Sequence, residues 1–102
     1  MLYAGIDIAS QKHDLCVIDS EGAVLLSNLT FSNTREGFET LYDTLFKYLP
    51  DGDLSKIKIG LESTGHYSIN LVSFLREKRL NITVFNPLHV KLYRKAQSLR
   101  KT

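Results

Sequence analysis

The sequence has little of what would tie it to a membrane, an oxidising compartment or a structural metal. Its one cysteine, Cys16, has no partner for an internal disulfide, which suits a reducing cytoplasm. No Cys/His cluster has the spacing of a zinc site. No apolar run nears the roughly 20 residues that span a bilayer. The first apolar stretch carries Asp7 and follows no basic leader, so it does not read as a signal peptide. Repeats, linkers and low-complexity segments are absent, and the two prolines, Pro50 and Pro87, both fall where helices are expected to stop or start. What remains is ordinary globular usage, 43% hydrophobic and 24% charged over 102 residues. That is one domain, 1–102, able to bury about two thirds of its unfolded surface.

The formal net charge of +2 conceals an asymmetry. Residues 1–75 hold five Lys/Arg and ten Asp/Glu, a sum of −5, whereas residues 76–102 hold eight Lys/Arg and one Glu, a sum of +7. An acidic front with a basic tail is either a nucleic-acid-binding pattern or a solvated, charged C-terminal helix.

Hydrophobic period separates strands from helices. Leu2–Ile8 alternates, with Leu2, Ala4, Ile6 and Ile8 on one face and Tyr3, Gly5 and Asp7 on the other. His13–Asp19 is apolar on both faces, which predicts a strand covered on both sides. Ser20-Glu21-Gly22 makes a turn into a third strand, Ala23–Phe31. Short links make these three strands antiparallel neighbours. The period then lengthens. Asn33 with Glu36 predicts an N-cap and capping box, and Phe38, Leu41, Tyr42, Leu45, Phe46 and Leu49 form the apolar face of a helix ended by Pro50-Asp51-Gly52. Lys56–Glu62 is a fourth strand. Ser63-Thr64-Gly65 caps a second helix over His66–Arg79, with Asn81 in the left-handed position after it. Ile82, Val84 and Phe85 form a fifth strand, and Asn86-Pro87 opens a third helix running to about Leu99. The order is βββαβαβα. Right-handed crossovers place the first strand centrally, with the fourth beside it and parallel.

Two carboxylates stand out. Asp7 lies near the end of the predicted central strand, and Glu62 ends its predicted parallel neighbour. Both then fall at the carboxyl edge of the sheet, where open α/β sheets bind ligands. Two such groups repel unless a cation or proton joins them, and hard oxygen ligands favour Mg²⁺ or Mn²⁺. The alternative is that each caps a loop. Asp14 reads as a solvated polar residue or turn partner. The backbone amides around Ser63, Thr64 and Gly65 are placed to bind phosphate at a helix start. His66 either touches substrate phosphate or a metal-bound water, or is an ordinary polar residue of a first helical turn. Lys91, Arg94 and Lys95 share one helical face, and Arg100 and Lys101 follow. Together these five form a candidate phosphate-contacting stripe.

Four motifs occur in order: Gly5-Ile6-Asp7-Ile8-Ala9-Ser10, Asn33-Thr34-Arg35-Glu36-Gly37, Glu62-Ser63-Thr64-Gly65-His66-Tyr67 and Asn86-Pro87-Leu88-His89-Val90-Lys91. Together they resemble the N-terminal RuvC-like domain of the DEDD family of bacterial insertion-sequence transposases. The resemblance covers essentially the whole chain. It implies a ribonuclease-H-like α/β fold with a five-stranded mixed sheet. It also implies that Asp7 and Glu62 are the first D and the E of the motif, serving as catalytic residues and metal ligands. It further implies metal-dependent DNA cleavage and joining, a homo-oligomer, a nucleoid-associated place in the bacterial cytoplasm and, in some relatives, a structured guide RNA. The family's last two aspartates usually follow a Lys-Thr pair, and this chain reaches only Lys101-Thr102. The resemblance therefore implies the N-terminal fragment of a longer enzyme, with weak metal binding and incomplete catalysis of its own. Two other readings compete. One is a noncatalytic nucleic-acid-binding or assembly module. The other is an actin-like ATPase or sugar-kinase fragment, disfavoured because Ile8-Ala9-Ser10 lacks the glycine of a phosphate turn.

Overall fold

The computed structural model describes residues 1–62 and 65–85. Strands β1 (Leu2–Ile8), β2 (Lys12–Asp19), β3 (Val24–Ser32), β4 (Ile57–Glu62) and β5 (Asn81–Phe85) form one sheet in the order β3-β2-β1-β4-β5. β1 is central, antiparallel to β2 and parallel to β4, and β5 continues the parallel half. This is the mixed sheet that the short early links and the later crossovers require. Gly22, at φ 87, makes the β2–β3 turn, where the Asp19 carboxylate also accepts from the Glu21 and Ala23 amides.

Alternation carries one apolar set to one face. Ala4, Ile6 and Ile8, then His13, Leu15 and Val17, then Ile57, Ile59 and Leu61 are all buried. Helices α1 (Arg35–Tyr48) and α2 (Ile69–Glu77) cover that face with Phe38, Leu41, Leu45, Leu71, Phe74 and Leu75. Burying a side chain of this kind contributes roughly 1.5–3 kcal/mol, so this layer dominates stability. No helix among the described residues is long and apolar enough to cross a membrane.

Several expectations need correction. The N-cap of α1 is Thr34, whose hydroxyl accepts from the Gly37 amide at 3.1 Å. Asn33 is occupied elsewhere. Its backbone N–H donates to the Gln11 carbonyl and its side-chain amide to the Ser10 carbonyl, tying the β1–β2 turn to the helix entry. The second helix does not start at His66. Gly65–Ser68 is a 3-10 turn, and α2 begins at Ile69 and ends at Glu77. The left-handed residue after α2 is Arg79, at φ 61, while Asn81 already pairs in β5. The reason is packing, because Leu80 must turn inward to become buried, and its N–H closes on the Leu75 carbonyl. Among the described residues, β2 buries His13, Leu15 and Val17 deeply and leaves Asp14, Cys16 and Ile18 half-buried. The expected third helix lies outside the described residues.

Candidate active site

The sheet face opposite α1 and α2 presents Tyr3, Gly5 and Asp7 from β1, all exposed. Parallel pairing sets Gly5 beside Gly60 and Ile6 beside Leu61. One step further, Asp7 comes level with Glu62, the last residue of β4. Both therefore stand at the carboxyl edge, on one face, on strands about 4.8 Å apart. Glu62 is half-buried and Asp7 exposed. From the far side, β5 brings Phe85 into register with Glu62. Gly60 leaves room for that ring, as a Cβ there would lie 3.0 Å from Phe85 Cε2.

Asp14 completes the row. It pairs directly with Asp7 across the β1–β2 ladder and with Thr30 across the β2–β3 ladder. It is not a turn partner, because its Oδ1 accepts the Thr30 hydroxyl at 2.5 Å. A sequence signal for this existed. Asp7 and Asp14 lie equally far from the centre of the Ser10-Gln11 turn, so a symmetric hairpin must oppose them. The turn itself is braced from below. His13, fully buried against Phe31, accepts the Ala9 amide at Nδ1, 3.2 Å away. His13 shares a face with Leu15 and Val17, and its spacing carries no sign of this bond.

The other expected site residues divide. Gly65 opens the 3-10 turn, so the phosphate-binding helix start expected at Ser63-Thr64-Gly65 does not coincide with the start of α2. Ser63 and Thr64 lie outside the described residues. His66 is exposed, its ring 4.5 Å from that of Tyr67. Lys91, Arg94, Lys95, Arg100 and Lys101, with His89, also lie outside the described residues. Among the described residues no group of three or more His, Cys, Asp or Glu is arranged to hold a metal ion. The chemistry of the pair nevertheless fits one. Asp7 and Glu62 offer only hard carboxylate oxygens on adjacent strands, a donor set that suits a divalent cation.

A five-stranded mixed sheet in the order β3-β2-β1-β4-β5, with its first strand central and parallel to the fourth, is a ribonuclease-H-like fold. Solved structures agree on the fold. Thermus thermophilus RuvC, in complex with Holliday junction substrate, has a TM-score of 0.60 at 16% identity, over 90% of this chain and 70% of that one. The fowlpox virus Holliday junction resolvase has a TM-score of 0.52 at 17% identity, over 85% of this chain and 62% of that one. Residues 4–102 match the IS110-type DEDD transposase family, and the chain belongs to it. The pilin gene-inverting proteins of Moraxella lacunata and Moraxella bovis are each 31% identical over 98 residues, 96% of this chain. The chain spans 29% of the length of these relatives. Family membership displaces the actin-like reading.

Proposed function

We propose that this chain is the carboxylate-bearing part of a longer DNA recombinase, the whole of which cuts and joins DNA strands with a divalent cation. What supports the reading is the parallel β1–β4 pairing, which runs to Ile6 beside Leu61 and so puts a carboxylate next on each strand, Asp7 and Glu62, in a chain of this family. Mg²⁺ or Mn²⁺ held by these two residues would activate an attacking oxygen and steady a leaving one. The protein's own part is to hold both carboxylates on adjacent strands of one sheet, so that their oxygens are placed before substrate arrives. DNA is the substrate on this reading, since T. thermophilus RuvC, of the same fold, is described with a Holliday junction. A guide RNA and a second copy of the chain are the further partners we assign to the whole enzyme. A nucleoid-associated, cytoplasmic place follows from a DNA substrate.

Two carboxylates under-coordinate a pair of catalytic ions. The 102-residue polypeptide alone is therefore expected to leave labelled duplex and branched DNA intact in Mg²⁺. Magnesium-dependent cleavage by this chain, lost in Asp7→Ala, would contradict that expectation.

On the same reading, the basic tail contacts phosphates. Neutralising Lys91, Arg94 and Lys95 together should weaken DNA binding at low salt. It should also reduce the slope of log affinity against log salt by about one unit per residue. Unrelated DNA sequences should lose affinity equally, because phosphate contacts do not read bases. A salt titration of wild type and triple mutant measures both, and equal slopes would make the stripe a solvated face.

A further inference from the structure

We propose that Asp14 is the charge that sets the cation affinity of the Asp7–Glu62 site, and that Thr30 positions it. The proposal rests on the reading of Asp7 as a cation-holding residue. Asp14 and Asp7 are direct cross-strand partners. Like charges so placed destabilise a sheet. Among the described residues the ion pairs join Arg35 to Glu39 and Arg35 to Glu77, and neither involves Asp7 or Asp14. Lys12, two residues before Asp14 on the same side of β2, makes no ion pair with either. Among the described residues no ion pair offsets this repulsion. The Thr30 hydroxyl occupies one Asp14 oxygen and anchors the carboxylate to β3. A cation at Asp7 turns the repulsion into attraction. Asp14 then raises affinity through space from the next strand without being a ligand.

This assigns opposite signs to one substitution. Asp14→Asn keeps an oxygen to accept the Thr30 hydroxyl but removes the charge. It should raise the melting temperature of the metal-free chain and weaken Mn²⁺ binding about five- to tenfold. That factor is the order of the Coulomb attraction between a divalent ion and a carboxylate on the neighbouring strand in a water-like dielectric. Asp14→Glu keeps the charge and should retain most of the affinity. Thr30→Val keeps the charge but frees it, for a loss of about twofold.

The experiment uses the 102-residue chain. Mn²⁺ is titrated into labelled protein, paramagnetic broadening of the β1 amides is followed, and melting curves are taken with and without the ion. A purely structural Asp14 would lower the metal-free melting temperature on replacement by Asn, or leave Mn²⁺ affinity unchanged. Either result overturns the proposal while leaving the site standing. Mn²⁺ broadening that misses the Asp7 strand, or that survives Asp7→Asn unchanged, overturns the site and the proposal with it.

Discussion

Asp7→Asn in a full-length recombinase carrying this domain should abolish magnesium-dependent strand cleavage, a loss of at least a hundred- to a thousandfold. The substitution keeps the shape and the strand and removes one negative charge. Charge placed in advance at a reacting centre is usually the largest catalytic contribution, and losing one such group costs about 3–4 kcal/mol of barrier. Stability should not fall with activity. Asp7 is exposed, and surface changes usually shift stability by about 0.5 kcal/mol or less. Its removal also relieves repulsion with Asp14. Rate and melting temperature measured on one preparation separate the two effects. Cleavage at the wild-type rate would remove Asp7 from the chemistry. Glu62→Gln should likewise abolish cleavage, since on this reading both residues hold the catalytic cation.

Gly37→Ala should destabilise the domain by about 2 kcal/mol or more. Gly37 sits buried in the first turn of α1, where helix propensity alone would favour alanine by about 1 kcal/mol. Packing decides against it. A Cβ at Gly37 would collide with the Ser32 carbonyl oxygen and lie 2.5 Å from its hydroxyl. The first is backbone at the end of β3, which cannot swing aside as a side-chain tip can. Overpacking of this kind typically costs about 1–3 kcal/mol, and the displaced turn also loses the Thr34–Gly37 cap, worth about 1 kcal/mol. A melting temperature lower by about 10 °C is the expected reading for a chain this size. An unchanged or higher value would mean that helix and strand do not approach as described.

The cap of α1 shows why some local features were not legible in the sequence. Asn33 and Thr34 are adjacent and both cap helices well. Which one does so depends on Asn33's bonds to Ser10 and Gln11, more than twenty positions away in the chain. The end of α2 has the same character. Asn81 is intrinsically the better left-handed residue, yet Arg79 takes that conformation because Leu80 has to reach the core. At β2, the apolar Cys16 and Ile18 suggested cover on both sides, but a strand's composition does not say on which side helices settle. The described helices both lie on the His13 side.

By itself the sequence determined the strands, the first helix, their order and therefore the parallel neighbourhood of β1 and β4. These follow from a two-residue period, a three-to-four-residue period and the handedness of crossovers, all of which are local or generic. That was enough to put Asp7 and Glu62 at one edge. The symmetric spacing of Asp7 and Asp14 about the Ser10-Gln11 turn already opposed them, but only the tertiary structure decided that Thr30 holds Asp14 and that His13 and Asn33 brace the turn beside them. Each is a hydrogen bond or register between residues whose types are equally at home on a solvated surface. Nothing in their spacing distinguishes the two until the sheet is assembled.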